Sequence, residues 1–380
     1  MTARGRIRVL IVDDSAVMRS LLRSVILTDP GLEVAGTAAD GATALDGLRL
    51  MAPDLILLDV EMPVMDGLAT LRELRARRHA MPVIMCSSLT QHGAKVTIEA
   101  LAGGASDYVA KPTGQSGREA AARALAQELL PKIHALTGMV EPRASALAAT
   151  RPVLPLPPGQ TAPPPMLAPP SKVSMLAIGV STGGPAALDV LLPQLPRNFP
   201  VPVLIVQHMP EVFTRLLAER LSHRCGLQVC EAAEGMAAMA GTVYIARGNW
   251  HMEAQAAARP GAPTTIHLTQ APPENHCRPA VDVLFRSVAR AYGPGVLAVV
   301  LTGMGYDGLA GARVVLEHGG AVLAQDQATS TVWGMPGAVT QAGLAYKALP
   351  LPAIAPEILR VAGRALPAPV ATRIPARMVV

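Results

Sequence analysis

Aromatic side chains are almost missing from this chain, with three Phe, two Trp and five Tyr among 380 residues. Its cores must therefore be built from Ala, Val, Leu, Ile and Met, and the stacking platforms that grip single-stranded nucleic acid are lacking. Cysteine is scarce too: Cys86, Cys225, Cys230 and Cys277 form no C-x-x-C pair and no dense framework. They read as reduced thiols, as in a cytoplasmic protein. No apolar run approaches the ~20 residues that span a bilayer, so no membrane insertion is expected. Ile7 to Val12 is too short for a signal-peptide core and is followed at once by two aspartates. Charge of one sign is not concentrated either. The net charge of +5 is spread thinly, with no Lys/Arg run, which suits an acidic protein partner better than nucleic acid. A chain of this length should hold two or three domains.

The most informative stretch is Met175-Leu176-Ala177-Ile178-Gly179-Val180-Ser181-Thr182-Gly183-Gly184-Pro185. An apolar strand pattern stops at a serine, and a glycine-rich turn then opens a helical pattern. Gly179, Ser181 and Gly183 fit the G-x-S-x-G spacing of a nucleophile elbow. Glycine turns before helices also cradle phosphates, so this stretch alone leaves both readings open.

From Arg6 to about Thr137, short apolar runs alternate with helical patterns. Strands are expected at Ile7–Val12, Glu33–Gly36, Leu55–Leu58, Val83–Met85 and Tyr108–Ala110. Such alternation implies a parallel sheet covered on both faces, with ligands beyond the carboxyl ends of its strands. Asp13, Asp14, Asp59, Ser87 and Lys111 all fall at such ends. Carboxylates crowded there repel unless a hard cation bridges them, and Mg²⁺ is the natural choice.

Residues 7–112 thereby resemble a response-regulator receiver domain. The matching residues are Asp13-Asp14, Asp59 within Leu58-Asp59-Val60-Glu61-Met62-Pro63, Ser87, Tyr108 and Lys111-Pro112. The resemblance implies that Asp59 is the phosphoacceptor. It also implies that Asp14 and Asp59 hold Mg²⁺ with Asp13 and the Glu61 carbonyl, and that Ser87 and Tyr108 are the switch residues beside Lys111.

Glu119 to Leu136 reads as a closing helix with a break near Pro131. Pro142 to Pro170 contains ten prolines and reads as an extended spacer. Beyond it, strands are expected at Met175–Val180, Val203–Val206, Gln228–Cys230, Val243–Ala246 and Val296–Leu301. Ser181, His208 and Asp307 each follow a different one of them. Serine needs a base, and imidazole needs a carboxylate to fix its tautomer. Each residue alone is ordinarily structural; three at one sheet edge form a candidate triad. The backbone N–H groups of Thr182 and Met304 are the candidate oxyanion donors. The order Ser…His…Asp differs from that of α/β-hydrolases. His223, Cys225, Cys230, His276 and Cys277 match no familiar zinc spacing, and His251 could line the pocket or lie on the surface.

These residues carry a second resemblance. Gly179-Val180-Ser181-Thr182-Gly183-Gly184, Gln207-His208-Met209-Pro210, Arg278-Pro279-Ala280-Val281-Asp282-Val283-Leu284-Phe285, Leu301-Thr302-Gly303-Met304-Gly305-Tyr306-Asp307-Gly308 and Gly334-Met335-Pro336 resemble the catalytic domain of the chemotaxis protein-glutamate methylesterases. Arg247, Cys277 and Trp333 stand where that family more often carries proline, histidine and phenylalanine.

The resemblance implies an α/β chain. A flavodoxin-like receiver (5–138) with a five-stranded parallel sheet is joined by a Pro-rich linker (139–171) to a doubly wound, mostly parallel esterase domain (172–366), with a tail at 367–380. It implies demethylation of chemoreceptor glutamate γ-methyl esters and deamidation of receptor glutamines. Ser181 would be the nucleophile, His208 the base and Asp307 its orienting carboxylate. Implied too are Mg²⁺ in the receiver, no cofactor in the esterase domain, methyl-accepting chemoreceptors as substrate and a chemotaxis histidine kinase as phosphodonor. The rival readings are a regulator acting only by protein binding, and a DNA-binding regulator. The second domain shows no helix-turn-helix pattern for the latter.

Overall fold

The computed structural model describes residues 5–88, 90–112, 117–138, 167–256 and 263–363. The N-terminal unit has strands β1 (Ile7–Val12), β2 (Leu32–Ala38), β3 (Leu55–Asp59), β4 (Val83–Ser87) and β5 (Asp107–Ala110). They form one parallel sheet in the order β2-β1-β3-β4-β5. Strands β3 and β4 are buried along their whole length, which is why they read as unbroken apolar runs rather than alternating ones. Helices α1 (Ala16–Ile26), α2 (Gly41–Met51), α3 (Gly67–Ala76) and α4 (Gln91–Ala102) start at Ser15, Asp40, Asp66 and Thr90. The side chain of each cap accepts a backbone N–H of the first turn.

The closing helix α5 (Arg118–Thr137) does not break at Pro131 as expected; it runs straight through. Leu125, Leu129 and Ile133 recur every fourth residue and are buried against the sheet. Tertiary packing of that stripe outweighs the hydrogen bond proline cannot make. The expected linker lies almost wholly, and the expected tail entirely, outside the described residues.

The second unit contains β6 (Met175–Val180), β7 (Val203–Gln207), β8 (Gln228–Glu231), β9 (Thr242–Ile245), β12 (Val296–Val300), β13 (Ala321–Gln325) and β14 (Lys347–Leu349). All pair in parallel, in the order β14-β13-β12-β6-β7-β9-β8. Alternate residues of the central strands feed two apolar layers. Leu176, Ile178, Val203, Ile205, Leu297 and Val299 face α6 (Gly184–Leu191), α7 (Glu211–Arg224) and α11 (Leu351–Val361). Met175, Ala177, Leu204, Val206, Val296 and Ala298 face α8 (Val281–Tyr292), α9 (Leu309–Glu317) and α10 (Met335–Gln341). An antiparallel hairpin, β10 (His251–Gln255) with β11 (Thr265–Thr269), stands apart from the main sheet. The sequence reading missed this hairpin together with β13 and β14.

The two units touch. Tyr108 of β5 stacks on Phe213 of α7, with centroids 4.6 Å apart and planes at 24°. Helix α4 lies against α6 and α7.

Candidate active site

Strand order reverses around β6 in the larger sheet: the chain moves to β7 on one side and later returns to β12 on the other. Crevices beyond the carboxyl ends of strands at such a reversal are where open α/β sheets bind ligands. Ser181 follows β6, His208 follows β7, and Asp307 lies in the loop after β12. All three line one cavity of about 990 Å³.

Ser181 is set by its backbone: its N–H donates to Thr302 O at 3.0 Å, and its carbonyl accepts from Gly184 N at 2.7 Å. The turn needs Gly183, whose φ is +77° and where a Cβ would fall 2.4 Å from Thr331 Oγ1. Gly303 lets the next loop approach, since a Cβ there would sit 2.9 Å from the Ser181 Cβ. His208 Nε2 and Asp307 Oδ2 are 2.8 Å apart. That leaves Nδ1 as the nitrogen facing other groups, and Cys277 Sγ stands 3.7 Å from it. No side-chain hydrogen bond engages Ser181 Oγ among the described residues. Thr182 and Met304 line the same cavity.

Asp307 is 3% exposed and accepts from five donors. Oδ2 receives His208 and Val281 N; Oδ1 receives Asp282 N, Gly308 N and Asn275 Nδ2. Two of those N–H groups open α8, so the helix dipole favours the carboxylate as well. Burial raises the Asp307 pKa, but the bond from His208 and the backbone donors outweigh it, and the net shift is downward. Burial likewise lowers the His208 pKa, yet the bonds to Asp307 and Cys277 lift it to about 10.

In the smaller sheet the reversal falls at β1 and β3. Asp13 and Asp14 follow β1, Asp59 ends β3, and their carboxylate oxygens lie within 4.8 Å of one another. Lys111 Nζ is 2.9 Å from Asp13 Oδ2 and 2.7 Å from Asp59 Oδ1. Burial raises the Asp59 pKa more than Lys111 lowers it. The Glu61 side chain is not in the cluster; it faces His92 at 4.0 Å. Ser87 is buried, donating to Ser88 O at 3.1 Å and accepting from Thr97 Oγ1 at 2.7 Å.

Sequence reasoning missed three residues. Asn275 donates to both Asp307 and Asp282. Cys277 was read for zinc rather than for contact with His208. Asp107 of β5 accepts from Thr182 Oγ1 at 2.7 Å, so it touches the neighbour of Ser181 from the other domain. Loop chemistry and contacts between distant segments leave no periodic trace, so no sequence signal marked them. His251 proves to be neither surface nor pocket: it is 1% exposed, its Nε2 pairing with Pro272 O and its Nδ1 accepting from Ala280 N.

Residues 176–358 match the CheB methylesterase family, and residues 9–123 match the response regulator receiver domain. A protein-glutamate methylesterase/protein-glutamine glutaminase of Nocardioides sp. is 48% identical over 95% of this chain and 97% of its own. A relative of the same name from Trichodesmium erythraeum is 46% identical over 93% of this chain and 99% of its own. Among solved structures, the Thermotoga maritima CheB methylesterase catalytic domain matches 50% of this chain and 99% of its own, at 41% identity and TM-score 0.48. Because the family models match both units and these relatives cover 93% or more of this chain, the chain belongs to the CheB methylesterase family, as an enzyme with an N-terminal response regulator receiver domain.

Proposed function

We propose that this chain removes methyl groups from glutamate γ-methyl esters on chemoreceptors, releasing methanol, and deamidates receptor glutamines by the same acyl chemistry. The observation that carries the reading is the His208–Asp307 pair at 2.8 Å in one cavity with Ser181. Ser181 Oγ attacks the ester carbonyl while its proton passes to His208 Nδ1, the nitrogen that Asp307 leaves free. The N–H groups of Thr182 and Met304 receive the oxyanion; one such donor is worth ~3 kcal/mol of barrier. The imidazolium, steadied by Asp307, returns the proton to the departing methoxide. A water then gives a proton to His208 and attacks the acyl-enzyme, freeing the glutamate carboxylate and Ser181. Methanol release from a methylated receptor fragment tests the assignment. Ser181→Ala should abolish release, and retained turnover refutes it.

Regulation runs through the receiver. Asp59 is the phosphoacceptor, and Asp13, Asp14 and Asp59 with the Glu61 carbonyl are the groups that would hold Mg²⁺. The donor set fits, because the carboxylate oxygens of Asp13, Asp14 and Asp59 lie within 4.8 Å of one another, hard donors of the kind Mg²⁺ takes. When bound, the ion would neutralise charge on the incoming phosphoryl oxygens. Lys111 and Ser87 hold the phosphoryl group and Tyr108 follows them. In the unphosphorylated chain β5 bears on the esterase through Asp107, which holds Thr182, and Tyr108, which stacks on Phe213. A chemotaxis histidine kinase is the phosphodonor, and the protein works in the cytoplasm. Receiver, linker and esterase divide the chain at about 138 and 172.

A further inference from the structure

Two nucleophilic side chains, Ser181 and Cys277, line the cavity that also holds His208. Because His208 Nε2 is bound to Asp307, Nδ1 is the nitrogen open to a new proton, and Cys277 Sγ stands 3.7 Å from it. Cys277, His208 and Asp307 thus form a thiol–imidazole–carboxylate chain, the arrangement that turns a weakly reactive thiol into a thiolate nucleophile. Among the described residues, the other three cysteines have no such partner. Cys86 is fully buried in the receiver core. Cys225 faces the carbonyls of Leu221 and Leu227, and Cys230 that of Val243; carbonyls accept a hydrogen bond but cannot take the proton. Burial also pushes both of those thiols up. Cys277 is part-exposed and lines the cavity that holds Ser181, so a small reagent can reach it.

We propose that Cys277 is a thiol-modification site through which peroxides and small electrophiles silence the esterase. The thiol proton passes to His208 Nδ1. The thiolate attacks one peroxide oxygen, the S–O bond forms as the O–O bond breaks, and the departing hydroxide takes the imidazolium proton as water. Sulfur is oxidised by two electrons to the sulfenic acid, and peroxide is reduced. The new S–O–H lies beside Nδ1, the nitrogen Ser181 needs, so serine activation stops. A dithiol reverses the step: it reduces the sulfenic acid to thiol and water and becomes a disulfide. The silencing rests on the reading of Ser181 and His208 as catalytic; the reactivity of the thiol does not.

The experiment therefore has two arms on the full chain. In the first, limited iodoacetamide labelling is followed by peptide mass spectrometry. Cys277 should alkylate at least about tenfold faster than Cys225 or Cys230, and His208→Gln should remove that advantage without changing Cys225. Equal rates, or an advantage that survives His208→Gln, overturn the proposal even if no methylated substrate is ever turned over. In the second, methanol release is followed after hydrogen peroxide. The wild type should lose activity in step with the oxygen gained on the Cys277 peptide and recover with dithiothreitol. Cys277→Ala, measured against its own untreated rate, should resist. Full activity in fully oxidised wild type overturns the switch, whereas no activity in untreated protein indicts the esterase reading and leaves the first arm to decide the thiol.

Discussion

At the scale of single residues, the site is a chain of proton positions fixed by Asp307. Five donors converge on its two oxygens, so the carboxylate cannot rotate to release His208. Asp307→Asn keeps the shape but presents an amide, and the imidazole loses its fixed tautomer. Turnover should fall by about 10⁴, as in serine proteases altered at this step, with an unchanged circular dichroism spectrum. A drop of less than about tenfold would mean that Asp307 only buttresses the loop. The same pair predicts a pH dependence of stability. Burial lowers the His208 pKa, but its bonds raise it from the ordinary 6.5 to about 10 in the folded chain. The folded state then binds the extra proton between those values, so the stabilisation is complete below pH 6.5 and is lost as pH rises toward 10. Melting temperature should decline over that window in the wild type and stay flatter in His208→Gln. A slope of equal size in both assigns the titration elsewhere. Asp282 changes in the same sense at lower pH. Burial and the nearby Asp307 charge push it up to about 6 from 3.8, so its ionisation above that range costs stability.

At the scale of elements, β5 is four residues long and touches both sites. Asp107 reaches Thr182, Tyr108 stacks on Phe213, and Lys111, one residue past the strand, reaches Asp13 and Asp59. Lys132 of α5 backs the strand, donating to Tyr108 O at 2.5 Å and lying 3.6 Å from Asp107 Oδ1. Asp107→Ala removes a charged hydrogen bond worth roughly 1.5–3 kcal/mol to the docked arrangement. Unphosphorylated methanol release should rise about tenfold or more. Lys132 would lose its partner, so Asp107→Ala with Lys132→Met is the cleaner variant, and an unchanged basal rate in both removes β5 from the control path.

Strand ends were legible in the sequence because a buried parallel strand is an unbroken apolar run, and the polar residue that stops it is conspicuous. Ser181, Asp13 and Asp59 announce themselves in that way, His208 stands just past the Gln207 that ends its strand, and Asp307 was marked instead by the glycine-dense loop that carries it. The hairpin β10–β11 did not, because polar residues such as Glu253, His267 and Thr269 interrupt its buried positions. Asp107 and Asn275 were invisible for another reason. Their meaning lies in what packs opposite them, 75 and 32 residues away. Pro131 misled because local chemistry was weighed without the buried stripe of Leu129 and Ile133 beside it.

At the scale of the whole molecule, the proposed control depends on which state a phosphoryl group on Asp59 would favour. It adds about two negative charges next to Lys111 and offers new acceptors to Lys111 and Ser87. Ser87 is now tied to α4 through Thr97, and α4 rests on α6 and α7. On the proposed regulation, a phosphoryl group that drew Ser87 away would strain the helix that seats the receiver, and a shift of Lys111 would bear on the strand that holds Thr182. Phosphorylation can relieve inhibition only by as much as it separates the docked and free states in energy. The excised esterase unit sets the ceiling for that gain. Residues 172–380 should release methanol faster than the unphosphorylated full chain by about tenfold or more, the equivalent of one broken charged contact. With Mg²⁺ and a small acyl phosphate, the full chain should approach the excised unit. Chelation of the metal or Asp59→Asn should hold it at the basal rate. If the excised unit is no faster than the intact chain, the contact of β5 with Thr182 does not inhibit, and the receiver must act by bringing the esterase to its receptor instead.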